Sequence, residues 1–237
     1  MKIMGLSGYL HWVAWFIKCF IFLLIPMAII TILLTVEFAS NGKMLNKSSP
    51  TLIFVFLILY SMASIMYCFM ISTFFYRANI AAAGGGIGWF ASYIPYFFLA
   101  LYYNLLSTPQ KIAACLDFNV AMAFGSSLIG NFEGQGTGVQ WSNLYQGVTV
   151  DDSFSFGSVL LMLLADCFIY GIIMWYIEGV FPGEFGISQP WYFPFKKSYW
   201  CGAKVKVRYI LINFTKVKDF QVVPESFHIR LNNEKSC

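Results

Sequence analysis

Long apolar runs dominate the chain, and four of them are long enough to cross a bilayer. A membrane-spanning helix needs about 20 consecutive, mainly apolar residues. The runs that meet this length cover residues 12–36, 51–75, 80–103 and 156–180. The second and third contain no charged side chain. The pattern therefore predicts an all-α membrane protein with four transmembrane helices.

A fifth, moderately apolar stretch at residues 107–130 is interrupted halfway by polar positions. Ser107 or Thr108, followed by Pro109, is typical of a helix start. The tripeptide Asp-Phe-Asn at 117–119 then breaks the apolar run. Broken helices are tolerated at membrane depth where protein or a water-filled cavity covers them. We therefore expect an extracytoplasmic hairpin of two short helices, re-entrant or peripheral, rather than a fifth span.

The distribution of lysine and arginine predicts the orientation of the four spans. Most of the basic residues fall on the side that holds the N-terminus, the connection at 76–79 and the tail beyond the fourth span. The other side carries five acids, Glu37, Asp117, Glu133, Asp151 and Asp152. Cytoplasmic segments are enriched in lysine and arginine, so both ends are predicted to be cytoplasmic. An odd number of spans would place the lysine-rich tail outside.

Composition agrees with a membrane protein and excludes several other classes. Hydrophobic residues make up 59% of the chain and charged residues 11%, whereas soluble domains carry about a quarter charged residues. The six cysteines show no metal-ligand spacing, and the two histidines are far apart. No G-x-x-x-x-G-K-[ST] phosphate-binding loop occurs. We therefore expect no catalytic, cofactor or metal site in this chain, and no nucleic-acid partner.

A cluster of glycines opens the third apolar run. It contains Gly84, Gly85, Gly86 and Gly88, of which the first and last form a G-x-x-x-G pair. Small residues let helix backbones approach closely in a membrane. Consecutive glycines also weaken a helix. The cluster indicates either ordinary helix packing or a flexible gate.

Two further positions carry candidate chemistry. Asp166 lies about ten residues into the fourth run and hence near mid-membrane. A carboxylate at that depth should face protein or water, either in a structural hydrogen bond or in a substrate or gating role. Asn46-Lys47-Ser48 is an N-glycosylation sequon in the first extracytoplasmic connection, which makes Asn46 a candidate acceptor.

Several long phrases resemble one known family. They are "ISTFFYRANIAAAGGG" at 71–86, "GQGTGVQW" at 134–141 and "YIEGVFPGEFGISQPWYFPFKKSYW" at 176–200. Residues 1–202 resemble the A subfamily of ATP-binding cassette transporters, most of all members that move phospholipids into lysosome-like compartments. The resemblance implies part of an ABC-2-type exporter transmembrane domain, from the third to the sixth helix of its first half. It also implies that the segment after the fourth run leads toward an ATPase domain.

The resemblance suggests a domain division and a function. Residues 1–200 would form a partial ABC-2-type transmembrane domain, and 201–237 a basic cytoplasmic tail that diverges from the family. The chain would be the membrane part of an ATP-driven transporter of phospholipid or sterol, without a motor and hence no enzyme by itself. ATP is implied only for the ATPase domain of the intact family. An alternative transcript, a truncated gene copy or a partial gene model would each explain the missing parts.

Two other functions fit the same sequence. One is a truncated isoform that modulates the full-length transporter, and the other is a stand-alone permease that pairs with a separate ATPase chain. The partners implied are membrane lipids together with an ATPase domain or a full-length ABC transporter. We expect a multi-pass protein of the plasma membrane or of an intracellular, lysosome-like or endosomal membrane.

Overall fold

The computed structural model of the chain describes residues 8–36, 44–75, 77–149, 152–181 and 189–195. The residues divide into two compact units, Met1–Ile187 and Ser188–Cys237. In the second unit, the described segment forms one short 3-10 turn, Phe193–Phe195. The predicted basic tail at 201–237 lies outside the described residues.

The first unit is mostly helical. Its elements in chain order are α1 (Gly8–Thr35), α2 (Pro50–Ser72), α3 (Ala78–Ala91), α4 (Ile94–Leu101), α5 (Thr108–Ala114), α6 (Phe118–Gly134), β1 (Gly147–Thr149), β2 (Asp152–Ser155) and α7 (Phe156–Val180). Strands β1 and β2 form a small antiparallel hairpin that the sequence pattern did not predict. Ser155 caps α7, since its side chain accepts a hydrogen bond from the Ser158 N–H.

Three helices of the described residues are long and apolar enough to cross a membrane. They span Leu10–Thr35, Pro50–Ser72 and Phe156–Val180, and they coincide with the first, second and fourth predicted spans. This confirms the expected helical, membrane-type architecture in its coarse form.

The third predicted span is not one continuous helix. The run at 80–103 divides into α3 and α4, which are separated by Ser92 and Tyr93. Pro95 lies in the first turn of α4. Proline has no N–H to donate, and its ring clashes with the carbonyl four residues earlier, so it disfavours a continuous helix and is best tolerated in a first turn. The expectation of a single helix across this run is therefore wrong.

Helix α2 is the centre of the bundle, and its neighbours have defined directions. Helix α7 runs parallel to it, because the rings of Phe56 and Phe156 lie 5.2 Å apart near the starts of the two helices, and those of Tyr67 and Tyr170 lie 5.5 Å apart further along. Helix α1 runs antiparallel to α2, since Trp12 near its start packs 5.2 Å from Phe69 near the end of α2.

The core lies between α2, α6 and α7 and is rich in phenylalanine. Helix α6 sits deep in it and buries most of one face, from Phe118 to Phe132. Phe124 on this helix contacts Tyr96, Tyr103 and Phe154 edge-on, with ring centroids 5.5–6.0 Å apart. Edge-to-face aromatic pairs are worth about 0.5–1.5 kcal/mol beyond their burial, so α6 is tied to the elements around it.

Candidate functional site

The turn between α5 and α6 lies inside the bundle and is followed at once by Asn119, a buried polar side chain. Ser107, one of the two predicted caps, is the N-cap of α5, and the Gln110 side chain accepts the Ser107 N–H at 2.9 Å. Asp117 caps α6 by accepting the Asn119 N–H at 3.0 Å. The chain therefore breaks into two helices at the predicted point, although α6 continues to Gly134, beyond the expected boundary at 130.

Asn119 joins this turn to the break between α3 and α4. Its amide nitrogen donates to the Trp89 carbonyl at 2.9 Å and to the Ser92 hydroxyl at 2.7 Å, and its oxygen accepts from Tyr60 at 3.0 Å. The Trp89 carbonyl is released from helical bonding because the Tyr93 N–H bonds to Phe90 instead. The Trp89 carbonyl also accepts the Ser92 hydroxyl at 2.9 Å, so Asn119 and Ser92 together satisfy the backbone group that the break frees.

The sequence carries only a weak indication of this role. An amide side chain in the middle of an apolar run predicts a turn, and its partners lie 27 to 59 residues away along the chain. We name the contacts among Tyr60, Trp89, Ser92 and Asn119 the asparagine joint.

Asp166 lies beside the same turn, completely buried on α7. Neither of its carboxylate oxygens has a hydrogen-bond partner among the described residues. The contact between α7 and the turn is made one helical turn later by Tyr170, whose hydroxyl donates to the Leu116 carbonyl at 2.9 Å and accepts the Phe118 N–H at 3.4 Å. The structural hydrogen bond considered for Asp166 is thus absent from the described contacts, and its gating role stays a prediction.

The glycine cluster separates into two faces. A Cβ atom at Gly84 would lie 2.5 Å from the Phe75 ring, and one at Gly88 would lie 2.7 Å from Ile71. The Gly88 carbonyl also accepts a hydrogen bond from Tyr67 at 2.9 Å. The predicted G-x-x-x-G pair therefore faces α2 closely.

The other two glycines face open space. No heavy atom lies within 4 Å of a Cβ built at Gly85 or Gly86. Both border a shallow apolar groove lined also by Cys68, Ala81, Ala82, Trp89 and Phe90. Among these four positions, only Gly84 and Gly88 are thus held by helix packing; whether the cluster also acts as a gate stays a prediction.

A clamp at one end of the bundle holds the sequon segment. The Glu133 carboxylate accepts the backbone N–H groups of Asn46, Lys47 and Ser48, and the Ser48 hydroxyl donates to it at 2.7 Å. Partial burial raises the pKa of Glu133, but these four donors outweigh it and hold the pKa below its usual value. Asn46 is exposed, so its side chain is accessible, while glycosylation there stays a prediction.

The phrase "GQGTGVQW" completes this clamp. Gly138 has φ of +65°, and a Cβ there would collide with the Lys47 backbone. The next residue, Val139, donates its N–H to the Ser48 hydroxyl at 3.0 Å and accepts the Ser49 N–H at 2.9 Å. Only glycine adopts this backbone conformation freely at so close an approach, which explains that position of the phrase.

A buried ion pair lies at the same end of the bundle as the clamp formed by Glu133. Lys111 is 4% exposed, its ammonium is 2.7 Å from Asp152 and 3.8 Å from the Tyr103 ring centroid, and the Tyr103 hydroxyl donates to the same carboxylate at 3.3 Å. Burial raises the pKa of Asp152, but Lys111, the Phe154 N–H and Tyr103 together bring the pKa below its usual value. Asp152 is one of the five acids predicted for the extracytoplasmic side, and its pairing with Lys111 was not predicted.

The chain is similar in sequence to several curated proteins. No protein-family model matches the chain. It is 52% identical over 202 residues to Phospholipid-transporting ATPase ABCA3 of Homo sapiens, 43% over 197 residues to ATP-binding cassette sub-family A member 17 of Mus musculus, and 37% over 204 residues to Retinal-specific phospholipid-transporting ATPase ABCA4 of Bos taurus.

These matches are broad on this chain and narrow on the relatives. They cover 85%, 83% and 86% of the chain but 12%, 11% and 9% of the respective relatives. The chain therefore spans about a tenth of the length of the curated proteins it matches. The resemblance predicted from the quoted phrases is confirmed: the chain belongs, as a segment, to the A subfamily of ATP-binding cassette transporters.

Proposed function

We propose that the chain forms the four-crossing part of the membrane domain of a phospholipid transporter. The observation that carries this proposal is the 52% identity over 202 residues to a relative named as a phospholipid-transporting ATPase. ATP would be bound and hydrolysed by a domain outside this segment. The residues described here would supply membrane helices and part of the lipid pathway, and no catalytic group.

The first support for four crossings is the course of α3 and α4. Helix α3 begins beside the end of α2, where Gly84 meets Phe75. After α4, Tyr103 reaches Asp152, four residues before the start of α7. Because α2 and α7 are parallel, α3 and α4 together carry the chain from one end of the bundle back to the other. We treat them as one broken crossing whose gap is filled by the asparagine joint.

The course of α5 and α6 supports a re-entrant hairpin. Thr108, at the start of α5, is hydrogen-bonded to Ser153 at 2.9 Å. The turn then contacts Tyr170, more than half-way along α7, and Glu133 near the end of α6 returns to Ser48 beside the start of α2. Both ends of the hairpin thus lie at the end of the bundle where α2 and α7 begin, and its turn lies at depth.

Lipid transport can be tested by exchange of this segment. Residues 1–202 would replace the matching segment of the Homo sapiens relative, and the purified chimera would be assayed in vesicles for ATP-dependent movement of a fluorescent phospholipid. We expect the chimera to retain transport above an ATPase-inactive control. A chimera that is folded and hydrolyses ATP, yet moves no phospholipid, would contradict the proposal.

A co-expression experiment distinguishes a transporter segment from the alternative, a modulating isoform. The chain would also be co-expressed, at increasing dose, with the intact relative. Transport by the chimera with no effect of the co-expressed chain supports the transporter segment. Dose-dependent inhibition by the chain, with an inactive chimera, would favour the modulator instead.

A further inference from the structure

Asp166 occupies a part of the bundle where nothing compensates a negative charge. Its exposed fraction is 0%, and neither carboxylate oxygen receives a hydrogen bond from any residue that the structure describes. It interacts electrostatically with Cys115 at the end of α5 and with Asp117 in the turn that follows. The side chain is therefore enclosed between α7 and the α5–α6 turn.

The titratable groups on the packed elements supply no free cation. They are Tyr67 on α2, Lys111 and Cys115 on α5, Asp117 in the turn, Asp152 on β2, and Cys167 and Tyr170 on α7. The thiols and phenols are neutral acids, and Asp117 bears the same charge sign as Asp166. The Lys111 ammonium lies 2.7 Å from Asp152 and is committed to it.

These surroundings determine which form of Asp166 fits the packed structure. An ionised carboxylate without a counter-charge is strongly disfavoured in a low-dielectric interior, and such a group becomes neutral instead. We propose that Asp166 is a proton-binding site: the carboxylic acid form packs between α7 and the α5–α6 turn, and loss of the proton to water loosens that contact.

The contact that would loosen is defined. Tyr170, one helical turn from Asp166, holds the turn through Leu116 and Phe118. Asn119 belongs to the same turn and holds the break between α3 and α4. A proton on Asp166 is thereby linked to the asparagine joint. This inference concerns the packing of the bundle and does not depend on the proposed transport.

The protonation state can be measured directly in the full chain. Infrared spectra in heavy water, on protein in phosphatidylcholine vesicles at neutral pH, detect the C=O stretch of a carboxylic acid separately from a carboxylate. We expect a carboxylic acid band in wild type that Asp166→Asn removes and Asp117→Asn retains, because asparagine also caps a helix. The absence of this band in wild type, or its loss only in Asp117→Asn, overturns the proposal.

The linked loosening has its own measurement. Hydrogen exchange of the Phe118 N–H, which the Tyr170 hydroxyl accepts at 3.4 Å, would be compared in wild type and Asp166→Asn at each pH, so that the intrinsic pH dependence of amide exchange cancels. We expect the ratio of rates to rise from near one at acidic pH to about tenfold at alkaline pH, as local opening increases exposure. A ratio of wild-type to variant rates that stays near one overturns the link between the Asp166 proton and local opening. If the variant does not fold, the wild-type infrared spectrum still decides the protonation state.

Discussion

The indole N–H of Trp12, near the start of α1, donates a 2.8 Å hydrogen bond to the carboxylate of Glu178, near the end of α7. The contact places the start of α1 and the end of α7 at the same end of the bundle. That relation agrees with the predicted even number of crossings, which itself stays a prediction.

Removal of the Trp12 donor should lower stability. Trp12→Phe keeps a ring against Phe69 but leaves Glu178 without its partner, so we expect a loss of about 1–2 kcal/mol, typical of a hydrogen bond to a charged group. Thermal unfolding in detergent would measure it. Trp15→Phe is the control, because Trp15 is 45% exposed and should tolerate the change. Equal losses in the two variants would contradict the role of the bond.

The asparagine joint should be more sensitive than its surroundings. Asn119→Ala leaves the Tyr60 hydroxyl without its acceptor and removes one of the two donors to the Trp89 carbonyl, which keeps the Ser92 hydroxyl at 2.9 Å, so we expect about 1–2 kcal/mol of destabilisation. Hydrogen exchange at Ser92 and Tyr93 should quicken in the same variant. Asn131→Ala, at an exposed position of the same helix, serves as the matched control. Unchanged exchange at the break in Asn119→Ala would show that the joint does not hold it.

Neighbouring glycines should respond in opposite ways to the same substitution. Gly84→Val pushes against Phe75 and should cost about 1–3 kcal/mol by overpacking. Gly85→Val enters open space and should change stability little, or raise it slightly, because valine has a higher helix propensity than glycine. Unfolding of both variants in one detergent tests this. A greater loss at Gly85 would mean that the open face is packed in the membrane.

The Lys111–Asp152 pair should make stability depend on pH only in acid. The folded-state pKa of Asp152 lies below its unfolded value of about 3.9, so the contribution is complete above that pH and is lost as pH falls through the folded-state pKa. Asp152→Asn leaves Lys111 unpaired and should lose up to about 3 kcal/mol at neutral pH. The difference between wild type and variant should persist to about pH 5 and shrink below pH 4. A difference that is independent of pH would exclude the ion pair as its cause.

The hairpin proposal predicts the accessibility of two positions. Single cysteines at Ser107 and Gly130 should both react with an impermeant thiol reagent added from the extracytoplasmic side, since both would lie at that end of the bundle. A cysteine introduced at Arg77 is the control and should react only from the cytoplasm. If Ser107 and Gly130 react from opposite sides, the stretch is a span and the assigned position of the tail fails with it.

Much of the architecture was accessible from the sequence because the bilayer restricts it strongly. Long uncharged runs must be helices, since hydrocarbon offers backbone groups no other partner. The break at 117–119 could be predicted because polar residues interrupt an apolar run there. The break between α3 and α4 was harder to predict, because Pro95 lies in a run that is long and apolar enough for a span.

The side-chain contacts of the site could not be predicted from the sequence. Lys111 and Asp152 are 41 residues apart, and Asn46 and Glu133 are 87 apart, so their pairing depends on how whole elements pack. The depth of Asp166 could be predicted from its place in the apolar run. Its lack of a hydrogen-bond partner depends on the positions of the surrounding helices and could not be predicted. The strands β1 and β2 are short and lack a regular alternation that would have revealed them.

The asparagine joint also has a consequence for how the protein is made. The Trp89 carbonyl and its hydrogen-bond donor on Asn119 are 30 residues apart, so α3 leaves the ribosome well before its partner is synthesised. Until α6 has entered the bundle, the Trp89 carbonyl has only the Ser92 hydroxyl as a side-chain donor, at 2.9 Å, and lacks its second partner in a medium that offers none. The proposed broken crossing of α3 and α4 would thus reach its final packing only after the hairpin that follows it, out of chain order.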